Sequence, residues 1–151
     1  FMNQNSFKSC TPFGIMRLLE AYNVKLEGLN ALVIGRSQIL GKPMAGMLLN
    51  ENATVTIAHS KTTNLNELIS QSDLVVAAVG IPKFISANQL KSDSILIDAG
   101  YHPNEKCGDV DLSGIESIVS AYTPVPGGVG PMTINTLILN TVSSMEAKFN
   151  V

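Results

Sequence analysis

Four short apolar runs alternate with helical patterns along this chain, and this alternation limits the folds open to it. The runs cover residues 31–35, 54–59, 74–80 and 94–100, and we expect a shorter fifth strand near 120–123. Because the runs are almost continuously apolar, both faces of each strand should be covered. Helical patterns at 43–50 and 65–70 lie between them. The chain is therefore predicted to be an α/β protein with a Rossmann-type, doubly wound parallel sheet.

Helical patterns also lie at both ends of the chain. Thr11 followed by Pro12 predicts a helix with a threonine N-cap, and residues 12–22 then carry one apolar face. Residues 133–148 carry a second apolar face at helical spacing. By its length of 151 residues the chain forms one domain, 1–151, and we expect it to be a fragment because it starts abruptly at Phe1.

Composition excludes several classes of function. The net charge of −2 argues against a broad basic surface for nucleic acid. The longest apolar runs are too short to span a membrane, and no signal-peptide pattern begins the chain. Cys10 and Cys107 form neither a disulfide framework nor a metal-binding spacing, so we expect reduced thiols in the cytoplasm and no metal site.

The segment that follows the first predicted strand has the composition of a phosphate-binding turn. Gly35 ends the strand and a helix is expected near Pro43, so that backbone N–H groups and the helix dipole can bind phosphate. Its glycine spacing departs from the usual dinucleotide fingerprint, and an ordinary strand-to-helix turn is the alternative.

The end of the second predicted strand indicates which dinucleotide would bind. NAD-binding folds usually place an acidic residue there, but this strand ends in His59-Ser60-Lys61-Thr62. Arg36, with a serine in the same pocket, suits a 2′-phosphate instead, which favours NADP over NAD. The alternatives are a solvated surface role for Arg36 and Lys61 and a structural role for His59, to which we assign no chemistry.

Glycines mark further candidate contacts. Gly80 and Gly100 end the third and fourth strands, where they would let a cofactor approach the backbone, although Gly80 could also belong to a simple turn. Residues 125–131 hold three glycines and two prolines, which predicts a stiff loop with a ligand against it.

Asp109 and Asp111 form a candidate carboxylate pair, but we expect a structural role for both in such a turn.

Several segments together resemble the C-terminal half of the bifunctional methylenetetrahydrofolate dehydrogenase/methenyltetrahydrofolate cyclohydrolase family. They are residues 10–16, 33–37, 41–45, 52–56, 59–62, 108–111 and 123–133, the last reading Thr-Pro-Val-Pro-Gly-Gly-Val-Gly-Pro-Met-Thr. The resemblance implies a domain that binds NADP, or NAD in some members, within a homodimeric cytoplasmic enzyme of one-carbon metabolism and purine biosynthesis. That enzyme oxidises 5,10-methylenetetrahydrofolate to the 5,10-methenyl compound and hydrolyses it to 10-formyltetrahydrofolate.

The resemblance also implies roles for individual residues. The phosphate and ribose loop would be Gly35, Arg36 and Ser37, with Arg36 and Ser60 at the 2′-phosphate. Thr11 and Thr133 would lie near the nicotinamide end, and Asp98 and Gly100 beneath the nicotinamide. Gly80 and Tyr101 complete the predicted cofactor-binding residues. The folate would border Pro126, Gly127, Gly128 and Gly130.

Two departures from the family limit what this chain can do. Tyr101-His102-Pro103 stands where many members have Ile-Asn-Arg, and Pro103 lacks an N–H donor. The family's catalytic tyrosine and lysine lie in an N-terminal domain that has no counterpart here, so no catalytic residue is assigned and the chain alone is expected to be inactive. The apolar faces of both terminal helices are then expected to pack on that domain.

Two other functions compete with this interpretation. The chain could be a stand-alone nucleotide-binding or regulatory module without catalysis. It could also belong to another two-domain oxidoreductase, such as a shikimate dehydrogenase-like enzyme, although the loop at 126–131 argues against that.

Overall fold

A parallel sheet of five strands forms the centre of the computed structural model, which describes residues 7–149. Its strands are β1 (Asn30–Ile34), β2 (Thr54–Ala58), β3 (Leu74–Ala77), β5 (Ile95–Asp98) and β7 (Ala121–Tyr122). Two short strands, β4 (Ile85–Ser86) and β6 (Val110–Asp111), pair separately in parallel. The helices are α1 (Cys10–Ala21), α2 (Gly41–Asn50), α3 (Leu65–Gln71) and α4 (Val129–Phe149).

The strand order in the large sheet is β2-β1-β3-β5-β7. The chain runs from β1 outward to β2, and then crosses over β1 to continue as β3 on the other side. The order therefore reverses between β1 and β3, and ligands of such sheets bind beyond the carboxyl ends of the strands at this point of reversal. This is the predicted doubly wound parallel sheet, which the structure confirms.

Successive residues of the central strands enter two separate cores, as the period of a strand requires. On one face Val33 and Val76 pack with Ile15 of α1 and Met44 of α2. On the other face the cluster includes side chains from α3, the small sheet and the alternate positions of the strands: Leu32, Ile34, Ile69, Val75, Ile85 and Leu96. Both faces of β1 and β3 are covered, as the near-continuous apolar runs predicted.

Strand β2 departs from that prediction because it forms an edge of the sheet. Thr54 and Thr56 are exposed, and the Ile57 side chain is 42% exposed. Only Ala58 of this strand is fully buried. The expectation that helices cover both faces of every strand is thus wrong for β2.

Both terminal helices begin earlier than predicted. Helix α1 begins at Cys10 with Ser9 in the N-cap position, so the prediction that Thr11 is the N-cap is wrong. Helix α4 begins at Val129, four residues before the predicted start at Thr133. Pro131 is tolerated there because the N–H groups of a helix's first turn have no partner within the helix. The glycine-rich segment is therefore a loop only as far as Gly128.

The two terminal helices pack against each other and differ in what they leave exposed. Arg17 of α1 donates a hydrogen bond of 2.7 Å to Asn135 of α4. Ile15 and Leu19 are buried within this domain, so the expectation that these α1 side chains await another domain is wrong. Helix α4 leaves a wide apolar surface uncovered, which we call the α4 stripe: Ile134, Leu137, Ile138, Leu139, Val142 and Met145.

None of the helices within residues 7–149 has the length and apolarity that a membrane crossing needs.

Candidate functional site

The segments that follow the five strands lie along one edge of the sheet, because parallel strands end on the same side. In spatial order they are the turn at Ser60 after β2, residues 35–37 after β1, Gly80 after β3, residues 100–101 after β5 and the loop at 123–128 after β7. With neighbouring strands about 4.8 Å apart, this row extends over about 19 Å. An extended ligand could therefore contact several of these segments at once.

The turn between β1 and α2 is drawn tightly against β3. Gly35 has a φ of +133°, and a Cβ there would overlap the carbonyl oxygen of Ala78. Glycine is required at this position because no other residue has both the conformation and the space. The Ser37 hydroxyl accepts hydrogen bonds from the N–H groups of Leu40 (3.1 Å) and Gly41 (3.3 Å), so this side chain shapes the start of α2.

Arg36 and Ser60 occupy matching positions on adjacent strands. Ile34 and Ala58 are paired in register, and each of the two side chains lies two residues beyond that pair. Both are exposed, and Arg36 makes no hydrogen bond or ion pair with any other residue in the range 7–149. The guanidinium is thus available to an anion at this end of the row.

His59 serves the local backbone. Its Nδ1 accepts a hydrogen bond of 3.1 Å from the N–H of Lys61, and its own N–H donates to the Thr62 hydroxyl at 3.0 Å. These bonds shape the turn that carries Ser60. The structural interpretation of His59 is therefore the one that fits its contacts.

Asp98 is a buried carboxylate at the carboxyl end of β5. Its Oδ1 accepts hydrogen bonds from the N–H groups of Gly100 (2.9 Å) and Asp109 (3.0 Å), and its Oδ2 accepts one from Val110 (2.9 Å). Burial raises the pKa of Asp98 above the ordinary aspartate value, while these N–H donors lower it by less. A Cβ at Gly108 would overlap this carboxylate, which accounts for the glycine before Asp109.

Asp109 is buried as well, and its side chain joins three segments. Its Oδ2 accepts hydrogen bonds from the N–H groups of Val79 and of Gly80, the latter at 2.9 Å, and its Oδ1 lies 2.9 Å from Nε2 of His102. The predicted structural role of Asp109 is confirmed by these contacts. Asp111 lies nearer the surface and accepts a hydrogen bond from the Ser113 hydroxyl, which lowers the pKa of Asp111.

The segment that departs from the family pattern forms a small hairpin. The His102 N–H donates to the carbonyl of Cys107 at 2.8 Å, and Pro103 begins the exposed turn beyond this bridge. The Tyr101 side chain is exposed beside the row of strand ends. The missing N–H of Pro103 thus falls outside the residues that directly follow β5. The contact of His102 with Asp109 was not predicted from the sequence.

The remaining predicted residues lie at the start of α4 and in the loop before it. Thr133 and Thr11 approach each other, with 3.1 Å between their hydroxyl oxygens. Pro126 and Gly127 are exposed, Gly128 is half-buried, and the Val125–Pro126 peptide bond is cis. Gly130 lies within the first turn of α4 and not in the loop that was predicted.

A cavity elsewhere in the domain does not coincide with this row. It has a volume of about 870 Å³ and lies beside the C-terminal ends of α1 and α2, lined by Phe13, Met16, Glu20, Lys25, Met47 and Glu51 among others. None of the predicted site residues lines it.

No group of three or more His, Cys, Asp and Glu side chains in the described part of the chain could hold a metal ion.

Comparison with known proteins assigns the chain to a family. Residues 9–149 match the family model described as tetrahydrofolate dehydrogenase/cyclohydrolase, NAD(P)-binding domain. The bifunctional protein FolD of Psychrobacter arcticus is 59% identical over 147 residues, which cover 96% of this chain and 50% of that protein. A FolD protein of Colwellia psychrerythraea is 60% identical, with 97% and 52% covered.

Solved structures agree with the sequence comparison. The bifunctional FolD enzyme of Campylobacter jejuni superposes with a TM-score of 0.92 and 44% identity, over 96% of this chain and 52% of that one. The Trypanosoma brucei enzyme, solved with NADP and an inhibitor, gives a TM-score of 0.87 and 34% identity, over 94% and 52%. The chain spans about half the length of these relatives. It belongs to the tetrahydrofolate dehydrogenase/cyclohydrolase family and corresponds to that family's NAD(P)-binding domain.

Proposed function

We propose that this chain is the NADP-binding part of a bifunctional enzyme. That enzyme oxidises 5,10-methylenetetrahydrofolate to 5,10-methenyltetrahydrofolate and hydrolyses the product to 10-formyltetrahydrofolate. The observation that carries the choice of NADP is the unpaired guanidinium of Arg36, two residues beyond the Ile34–Ala58 pair and level with Ser60. No acidic residue stands at the end of β2 to bind a ribose 2′-hydroxyl.

The order of the strand ends supports a direction for the bound cofactor. The 2′-phosphate would lie at Arg36 and Ser60, and the pyrophosphate at residues 35–37 and the start of α2. The nicotinamide end would lie near Gly80, Gly100 and Tyr101, with Thr11 and Thr133 beside it. When bound, NADP⁺ supplies the acceptor for a hydride from the methylene carbon of the folate.

The folate is proposed to lie against the loop that follows β7. Pro126 and Gly127 are exposed there, and Gly128 and Gly130 complete a surface with almost no side chains. Such a surface lets a flat ligand approach the backbone closely. We assign no catalytic residue to this chain, so turnover is expected to need the other half that the longer relatives have.

The α4 stripe is a candidate surface for contact with another protein domain. Six large apolar side chains on this helix are each more than 40% exposed, which forms an apolar patch larger than isolated surface residues would give. We propose that this stripe contacts the N-terminal half of the same enzyme.

A homodimer and a role in supplying one-carbon units for purine biosynthesis rest on the family resemblance. The two free cysteines, Cys10 and Cys107, support a reducing compartment such as the cytoplasm.

Calorimetric titration of the chain with NADP⁺ and with NAD⁺ tests the cofactor assignment. The charge-assisted bonds of Arg36 to a 2′-phosphate are worth about 1.5–3 kcal/mol, so Arg36→Ala should weaken NADP⁺ binding by about 10- to 100-fold. Binding of NAD⁺ should change less than about twofold, because NAD⁺ has no phosphate for Arg36 to contact.

Lys25→Ala is the matched control for this experiment. It removes one exposed positive charge, but from the segment that precedes β1, at the opposite edge of the sheet. The control should leave both affinities unchanged. Equal losses for Arg36→Ala and Lys25→Ala would show a general electrostatic effect and contradict the 2′-phosphate assignment. Failure of the unaltered chain to bind either dinucleotide would contradict the proposed function of this domain.

A further inference from the structure

Behind the row of strand ends lies a buried contact that the proposed function does not use. The Asp109 carboxylate is completely buried, and the His102 side chain is 16% exposed. In the tautomer that we assign to His102, Nε2 carries the hydrogen and donates it to Oδ1 of Asp109 at 2.9 Å. The other oxygen, Oδ2, is occupied by the N–H groups of Val79 and Gly80.

This carboxylate is one step away from the segments proposed to contact the cofactor. Ala78 directly follows β3 and lies against Gly35 in the phosphate turn, and Val79 and Gly80 come next. On the other side, His102 directly follows Gly100 and Tyr101. Asp109 therefore ties the turn after β3 to the segment after β5, with His102 as its only side-chain partner among residues 7–149.

Asp109 needs a donor from His102 because of its burial. A buried polar atom that lacks a hydrogen-bond partner is costly, and a shift of the groups around it lowers that cost. The nearest other carboxylate, Asp98, repels Asp109 and cannot replace the donor. Without the donor of His102, we expect such a shift to weaken the bonds of Asp109 to Val79 and Gly80.

We infer that His102 is a positioning residue of the cofactor site: through Asp109 it holds the Val79–Gly80 turn in place beside residues 100–101. The inference rests on the proposed function for the identity of the ligand. The hydrogen-bonded arrangement itself does not depend on that ligand. The role belongs to the nicotinamide side of the row, so NADP⁺ and NAD⁺ should depend on it equally, in contrast to Arg36.

Substitutions at position 102 separate the hydrogen bond from the bulk of the side chain. His102→Leu keeps much of the volume and removes the donor, and His102→Phe keeps an aromatic ring without any donor. His102→Gln places an amide nitrogen at nearly the distance of Nε2 and should restore the bond. Asn104→Leu, in the exposed turn of the same hairpin, is the matched control.

The first readout is amide hydrogen exchange of Val79 and Gly80 in the chain without cofactor. In His102→Leu and His102→Phe the two amides should exchange about tenfold faster, as expected for one weakened hydrogen bond, while β1 amides stay unchanged. His102→Gln and Asn104→Leu should resemble the unaltered chain. Unchanged exchange in both donor-free variants, or no rescue by glutamine, would overturn the inference.

The second readout is the affinity for NADP⁺ and NAD⁺. Both should fall by the same factor of about 5 to 10 in the donor-free variants and recover in His102→Gln. Faster exchange with unchanged affinity would overturn the link to the cofactor site. If the unaltered chain binds neither dinucleotide, the proposed function fails, while the exchange measurement still decides whether His102 holds the turn.

Discussion

Two buried carboxylates in this domain should respond very differently to the same isosteric change. Both oxygens of Asp98 accept hydrogen bonds from backbone N–H groups, whereas only one oxygen of Asp109 does so. In Asp98→Asn the new NH₂ group must face an N–H donor on one side or the other. In Asp109→Asn the amide oxygen can accept from Val79 and Gly80, while the NH₂ group donates to His102 after a change of tautomer.

The contacts give the expected magnitudes. One buried N–H left without an acceptor costs about 1–3 kcal/mol, and a chain of this length loses about 2–4 °C of Tm per kcal/mol. Asp98→Asn should therefore lower the free energy of unfolding by about 1–3 kcal/mol. Asp109→Asn keeps every contact and removes a buried charge, so its cost should stay below about 1 kcal/mol.

Urea denaturation and differential scanning calorimetry would measure both effects. Asp111→Asn is the control, because this nearby carboxylate accepts bonds from Ser113 alone and should change stability by less than about 0.5 kcal/mol. The reasoning is refuted if Asp109→Asn destabilises the protein as much as Asp98→Asn. It is also refuted if Asp98→Asn matches the control.

Three further predictions concern Asp98, Gly35 and the α4 stripe. The pKa of Asp98 is raised above 3.8 by burial, so protonation of this group favours the folded state and that stabilisation is lost as the pH rises through its folded pKa. The difference in Tm between the unaltered chain and Asp98→Asn should therefore be largest at acid pH and shrink toward neutral pH; a constant difference would contradict this. Gly35→Ala should destabilise the domain by about 2 kcal/mol or more and abolish dinucleotide binding, since its Cβ would overlap the Ala78 carbonyl in a strained conformation; wild-type Tm and affinity would contradict it. Sedimentation velocity should show self-association of the chain through the α4 stripe that Ile138→Lys reduces and the exposed control Ser144→Lys does not; a monodisperse monomer at high concentration would contradict this.

The main features of the fold could be predicted from the sequence because they depend on local patterns. The buried runs around Val33 and Val76 have the β-branched composition of central strands, and the structure covers both of their faces. The exposure of Ile57 could not be predicted, because an apolar run of this kind is found in both central and edge strands. Only the strand order shows that β2 lies at the edge of the sheet. Strand order is a property of the whole sheet and is not encoded in any single run.

Helix boundaries were harder to predict because glycine and proline occur both in loops and in the first turn of a helix. In the segment before Thr133 they predicted a loop, but Gly130 and Pro131 lie in the first turn of α4, where proline costs no hydrogen bond. At the other end, Ser9 and not Thr11 occupies the N-cap position, so α1 begins two residues earlier than predicted. Local propensity gave the existence of both helices but not their first residues.

The candidate site divides in the same way. The residues that end strands, such as Gly35, Ser60 and Gly80, could be found because strand ends are visible in the sequence and meet at one edge. The partnership of His102 with Asp109 could not, since it depends on a hairpin closed by the His102–Cys107 bridge. A spacing of seven residues between a histidine and an aspartate does not predict a contact between them unless the turn that joins them is known.

The most direct test of the account is to map the binding of NADP⁺ on the ¹⁵N-labelled chain by NMR. We expect shifts at residues 35–37, 60, 79–80 and 100–101, which lie together beyond the carboxyl ends of the strands. We expect none at residues 24–28, which border the cavity at the opposite end of the strands. Shifts confined to the cavity residues, with the strand ends unchanged, would contradict the central claim that this row of strand ends is the cofactor site.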